Sequence, residues 1–509
     1  QPHADGREQS EGTALLNDFP AAVAAHPELE LHGMVVLHDG ATVFEQYWAP
    51  YEPDDRALVY SVSKTFSATA VGLAVAEGRF GLDDRLVDLL PTTVPGLPTA
   101  VPEEVALRPS RRAAADRVAQ LTVHHLLSMS TGHTEDTLEA MTDGPPEEWV
   151  QRFLAIGPQQ PVGSCHVYNN GASFLLGELV RRHTGEDLVD YLRPRLFEPL
   201  GIDTAWDRDP LGRCLGWTGL HLRTRDLAAM GELLRCDGVW RGRRLLPEGW
   251  VARATAKQIP TSDTKPEWTL GYGYQVWMGR EGYRLDGAYG QFAFVLPERR
   301  LVVAIQSAQS CTQTLVDLLW EHLDALRDVD GSFLTAASSG SDGGSPVPEE
   351  VAPLLEPVPE EVALRPSRRA TIPVPTDSGA GTAWTAAGPV PLDPEMVDPG
   401  EEIGRPADVA DVTATRTDAG FELNLTADGF PVHVVTVAGE WCRQRLQLGD
   451  AEVPVAVAAG ADQSGDLHVR LVFTDTPHTL RLRLGADHAA QAWRVNPLQG
   501  PGLAGMRAH

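Results

Sequence analysis

Phe66, Ala68, Ala70, Val71, Leu73, Ala74 and Val75 run up to a stop at Gly78, and a helix this apolar has to be buried. The fold must be built around it. At its mouth stands Leu58-Val59-Tyr60-Ser61-Val62-Ser63-Lys64-Thr65-Phe66, where Ser61 and Lys64 are three residues apart and share one helical face. A serine hydroxyl becomes a good nucleophile only when a base takes its proton. An amine can be that base if burial and a helix N-terminus bring its pKa toward neutrality. Arginine cannot, and the lysines of the chain are Lys64, Lys257 and Lys265 alone, every other basic side chain but histidine being Arg. Lysine at 64 therefore reads as a chemical requirement, against the alternative of an ordinary capped core helix. Ser262-Asp263-Thr264-Lys265 has the same spacing but is polar, lies between Pro260 and Pro266, and is expected to be a loop.

A chain of 509 residues is long for one core. The expected division is a catalytic domain over 1–330, a linker over 331–372 rich in Ser, Gly, Pro and Glu, and a β domain over 373–509. The net charge of -28 argues against nucleic acid or an anionic membrane as partner. No window reaches the roughly 18 apolar residues of a membrane span. Cys165, Cys214, Cys236, Cys311 and Cys442 are scattered and never spaced Cys-x-x-Cys, so free thiols are expected, with no metal and no cofactor. The start at Gln1 shows no apolar signal segment, which leaves the compartment open and leans toward the cytoplasm. Oligomeric state is left open.

Gly33–Leu37 and Thr42–Trp48 flank Asp39-Gly40, a hairpin signal. Helical spacing recurs at Leu82–Leu90, Leu121–Met129, Phe174–Arg182, from Leu188 to Pro194, Asp226–Leu234 and Thr314–Leu326. Gly271–Trp277, Phe292–Leu296 and Leu301–Ile305 read as strands. Beyond the linker, Phe421–Leu425, Val432–Val437, His468–Phe473 and Leu480–Leu484 are mostly alternating runs that describe a small antiparallel β domain without evident chemistry. Val101–Ala113 recurs identically as Val358–Ala370, a duplicated surface segment or gene-level artefact rather than a binding motif.

A Ser-Lys pair needs a partner for the leaving group, and Tyr168-Asn169-Asn170 can supply one. Alone, Tyr-x-Asn also fits a loop tyrosine ahead of a helix. Its order is what distinguishes it. Ser61-Val62-Ser63-Lys64-Thr65-Phe66, Leu126-Leu127-Ser128-Met129-Ser130-Thr131-Gly132, and Tyr168-Asn169-Asn170-Gly171 through Gly177 together resemble the class C β-lactamase-related serine hydrolases. Leu196–Gly201, Gly219-Leu220, Thr224–Leu227 and Gly290-Gln291 extend the likeness over roughly residues 30 to 325.

The resemblance implies a β-lactamase/transpeptidase-like domain, with an antiparallel sheet flanked by helices plus a helical subdomain; with the small β domain read from its alternating runs, the chain is α+β. The resemblance also implies a small-molecule substrate, Ser61 as acylated nucleophile, Lys64 and Tyr168 as the proton-transfer pair, and Asn170 orienting lysine and substrate. The family's third motif, Lys-Thr-Gly or His-x-Gly, falls on Leu285-Asp286-Gly287, a departure that replaces a cation or imidazole with Leu285. Gly287 still suits close backbone approach, and the Ala288 amide can join that of Ser61 as an oxyanion hole. Asp286 is either a hydrogen-bonded strand residue or a determinant of substrate choice. Strand alternation puts Arg284 on the face opposite Leu285. The expected activity is cleavage of an ester or amide lacking a carboxylate near the scissile bond. β-Lactamase, D-aminopeptidase or carboxypeptidase, acyl transferase and a non-catalytic binding protein on the same fold remain the alternatives. His124, His125 and His133 lack a zinc spacing, and Trp217 and Trp277 read as core or pocket wall.

Overall fold

The hairpin signal at Asp39-Gly40 works because both residues take left-handed backbone, with φ of 49° and 78°, which is what a tight two-residue turn requires. It joins β1 (Leu31–His38) to β2 (Ala41–Tyr47) in antiparallel register. The computed structural model describes residues 18–90, 115–328, 383–398, 404–486 and 488–507. The expected linker and both copies of the repeated segment lie outside the described residues.

The chain forms two compact units. The first takes its described residues from Gln1–Leu58, Arg223–Arg225 and Ala304–Ala508, the second from Val59–Leu222 and Asp226–Val303. In the second, α1 (Ser63–Ala76) is buried from Ser63 to Ala74, as its apolar sequence demands. Helix α2 (Val123–Leu127) is short, and α3 (Trp149–Ile156) buries Trp149, Val150 and Phe153. Helix α4 (Asn170–Thr184) packs along α1; Asn169 caps it by accepting from the Ala172 amide, and Gly185, at φ 82°, ends it. Most of α5 (Thr224–Arg235) also belongs here.

Strands β3 (Trp277–Met278), β4 (Tyr283–Gly287) and β5 (Gln291–Leu296) are antiparallel neighbours, followed in the sheet by β6 (Leu301–Ser307). Gly271–Val276, expected as strand, is instead irregular, with a bend at Tyr274 and Gln275 and isolated bridges from Tyr272 to Ile259 and Trp277. Gly271 at φ 119° and Gln275 at φ 57° break the extended run, and the Gln275 amides bond to the carbonyls of Leu126 and Leu127 rather than to a strand.

In the first unit the far end of β6 lies beside β1 and then β2, and α6 (Thr312–Asp328) follows. Its C-terminal part holds two antiparallel sheets. One is β7 (Ala383–Pro389), β8 (Val409–Arg416), β9 (Gly420–Ala427) and β10 (Phe430–Val437); the other is β11 (Cys442–Leu448), β12 (Ala451–Ala461), β13 (Leu467–Phe473), β14 (Thr479–Leu484) and β15 (Ala489–Trp493). Alternate side chains of both meet in one apolar core that includes Trp384, Phe421, Leu471, Phe473 and Trp493. Among the described residues no helix is long and apolar enough to cross a membrane.

A Cβ on Gly72, in the middle of α1, would lie 2.4 Å from the Trp250 ring. Replacing a helix-interior glycine by alanine ordinarily stabilises by about 1 kcal/mol. Here Gly72→Ala is expected to destabilise by about 1–3 kcal/mol, because the overpacking outweighs the propensity gain. The midpoint of urea unfolding checks this, and a raised midpoint would contradict it.

Candidate active site

Ser61 is presented by a strained turn. Tyr60, just before it, holds φ 47°, a left-handed conformation uncommon for a bulky residue, and the surroundings fix it there. The Val59 amide donates to the Leu220 carbonyl at 2.9 Å, and Ser63 Oγ donates to the Tyr60 carbonyl at 2.6 Å while accepting from the Leu220 amide at 3.0 Å. A single 3-10 turn, Tyr60–Val62, then runs into α1, so Ser61 and Lys64 face one space as their spacing predicts.

Lys64 is 1% exposed. Its Nζ lies 2.8 Å from Ser61 Oγ and 2.7 Å from the Trp217 carbonyl oxygen, to which it donates. It also sits over the Tyr168 ring, 4.8 Å from the centroid. Burial lowers its pKa to about 7, against the opposing pull of Asp136 and Asp286. The amine can therefore shed its proton near neutrality, as a base must.

Tyr168 is placed by rings: it stacks on Trp277 with centroids 5.9 Å apart and meets Tyr272 edge-on at 6.3 Å. Burial pushes its phenol well above the usual range, with a side-chain hydrogen bond to Ser61 opposing that shift. It therefore keeps its proton at neutral pH, where the Lys64 amine can shed its own.

Asn170 opens α4, and its amide groups are held by Asp136: the backbone N–H donates to Oδ1 at 2.8 Å and Nδ2 donates to Oδ2 at 2.5 Å. Asp136 was not singled out from sequence. It is an exposed loop acid with no spacing to mark it. The second partner of Lys64 is the Trp217 carbonyl, a backbone group that no motif could reveal.

On β4 the alternation holds, and its consequence is specific. Leu285 is fully buried, whereas Arg284 and Asp286 share a face and pair, Nε to Oδ2, at 2.9 Å. Arg284 is itself fully buried, 4.5 Å over the Trp268 ring, with Nη1 near the carbonyls of Glu267 and Met278. Burial raises the Asp286 pKa while Arg284 holds it down. Gly287 answers to contact: a Cβ there would lie 2.2 Å from the Val59 carbonyl oxygen, so only glycine lets the strand end approach the Ser61 turn. Tyr289, just past Ala288, meets Tyr60 edge-on at 5.6 Å. The segment carrying the Ala288 amide is thereby drawn to the nucleophile turn.

The histidines have structural partners. His124 Nδ1 lies 2.7 Å from Tyr274 Oη, His125 closes a capping box with Thr122, and His133 Nδ1 lies 2.8 Å from Thr131 Oγ1.

The profile of the Beta-lactamase family matches residues 19–325. Penicillin-binding protein 4 of Amycolatopsis lactamdurans is 27% identical over 408 residues, 71% of this chain and 96% of that protein. The 6-aminohexanoate-dimer hydrolase of Paenarthrobacter ureafaciens is 25% identical over 48% of this chain and 62% of its own length. A D-aminopeptidase of Brucella anthropi is 26% identical over 41% of this chain and 39% of its own length. With Ser61 paired to a buried lysine on an α+β scaffold and a profile match over most of its length, the chain belongs to the Beta-lactamase family, is an enzyme of its serine hydrolase kind, and has the β-lactamase/transpeptidase-like fold.

Proposed function

We propose that this enzyme cleaves an ester or amide through an acyl-enzyme on Ser61. The carrying observation is the buried Lys64 amine, 2.8 Å from Ser61 Oγ with its pKa brought to about 7 by burial. Lys64 takes the hydroxyl proton as Ser61 Oγ attacks the carbonyl carbon, and the oxyanion forms against the amides of Ser61 and Ala288. The intermediate collapses as Tyr168 protonates the departing oxygen or nitrogen, and the proton on Lys64 replaces the one Tyr168 gave. Asn170, held by Asp136, orients the substrate carbonyl. Water then repeats the sequence on the acyl-enzyme.

The preferred substrate lacks a carboxylate near the scissile bond. A carboxylate in a partly desolvated cleft needs a cation or several donors. Arg284 is committed to Asp286, and Lys265, an exposed loop residue 5.1 Å over Trp268, is within electrostatic reach of the same Asp286. Like charges near a protein surface repel by on the order of 1–4 kcal/mol. A second reading, a substrate with an amine beside the scissile bond, is favoured by Asp136 and Asp286, the two carboxylates that act on Lys64.

A fluorophosphonate probe is expected to label Ser61, and Ser61→Ala to abolish labelling with a nearly unchanged melting curve. A label mapped to any other residue overturns the nucleophile assignment. For p-nitrophenyl butyrate, kcat/KM should rise with pH through about 7 and then level, since only neutral Lys64 accepts the proton. Lys64→Arg should abolish turnover, and a flat profile from about pH 5 to 8 would remove Lys64 as base. Finally, kcat/KM for the neutral ester should exceed that for nitrocefin; the reverse ratio rejects the carboxylate argument, and a D-alanine anilide that outruns both selects the amine reading.

A further inference from the structure

A cavity of 340 Å3 in the first unit is lined by residues far apart in the sequence, Trp48, Tyr51, Trp441, Arg470 and Thr479 among them. None belongs to the Ser61 set. Its size is at the low end of small-ligand sites.

Two observations mark it as a receptor. Tyr51 and Thr479 are each 4% exposed, and their hydroxyls lie close to one another on its wall, yet neither makes a hydrogen bond of acceptable geometry among the described residues. Native folds rarely leave buried hydroxyls without partners. The second observation is charge. Arg481 and Arg494 share Asp398, at 2.8 and 2.9 Å, and Arg494 also holds Glu30 at 3.1 Å. Arg470, on the same wall, has no carboxylate within hydrogen-bonding distance among the described residues. Of the groups that line the cavity, three guanidinium groups thus stand against one carboxylate, Glu30, while Asp398 and Glu28 act on Arg481 and Arg494 from outside the lining.

We infer that this cavity binds a small organic carboxylate with an aromatic or apolar body. The carboxylate takes the Arg470 guanidinium and the Tyr51 and Thr479 hydroxyl protons, while the body covers Trp48 and Trp441. An amine meets the wrong sign. Inorganic phosphate leaves the indoles uncovered.

Calorimetric titration of the full chain with phenylacetate tests this, with Ser61 first blocked by a fluorophosphonate so that catalysis cannot intervene. Saturable one-to-one binding is expected, with 2-phenylethanol, which lacks the charge, at least about tenfold weaker. Arg470→Gln should weaken phenylacetate about tenfold, and Thr479→Val severalfold, with ester hydrolysis by the unblocked variants unchanged. Thr479→Val keeps the side-chain shape and decides alone if Arg470→Gln fails to fold. Any of three results overturns the proposal: no saturation by about 10 mM phenylacetate, phenylethanol or phosphate bound as tightly, or phenylacetate binding unaltered in the folded variants.

Discussion

The site depends on keeping one amine dry. Charge on Lys64 is disfavoured because α1 is enclosed over most of its length, and a buried ammonium without an adjacent carboxylate gives up its proton at a pH where water would keep it on. The two acids that act on it, Asp136 and Asp286, do so without a hydrogen bond to Nζ, whose partners are the Ser61 hydroxyl and the Trp217 carbonyl. Had either carboxylate moved into contact, the amine would have stayed charged at neutral pH. The neighbouring geometry brings the site together: the strained Tyr60, the glycine at 287 and the ring under Lys64 gather Ser61, Lys64 and Tyr168 into one space.

The chain divides its cations by chemistry. Where a positive charge must persist beside a carboxylate it uses arginine: Arg181 and Arg182 on buried Glu178, Arg213 on Asp209, Arg494 on Glu30. Lys64, by contrast, has a hydroxyl and a carbonyl as its Nζ partners, and burial holds it near neutrality. Of the three lysines Lys64 alone is buried, while Lys257 and Lys265 are exposed.

What could be read in advance was mostly local. Ser61 and Lys64 lie within one helical turn, so their spacing was enough. Tyr168 and Asn170 come from another segment, and only the order of motifs connected them to Ser61. Asp136 and the Trp217 carbonyl left no trace, one being an unremarkable loop acid and the other backbone. Aromatic and β-branched residues at Gly271–Trp277 imitated a strand, and two left-handed residues undid it. In the C-terminal sheets, alternation exposed β9, β10, β13 and β14, whereas β12, buried continuously from Val455 to Ala461 and rich in alanine, has no period to read. The cavity near Tyr51 was invisible for a similar reason: its wall is assembled from separate strands and loops.

The pairing of Arg284 with Asp286 also bears on how such a site changes over generations. A guanidinium is already present on the strand that lines the cleft, neutralised by a neighbour two residues away. Losing the carboxylate by a single substitution would leave the buried arginine only Glu267, 4.0 Å away and already paired with Arg280, a defect of up to about 3–5 kcal/mol. It would also create a ready socket for an acidic substrate. A lineage with stability in reserve could cross to a different substrate class in one step. A marginal one is held to its present class by folding rather than by catalysis.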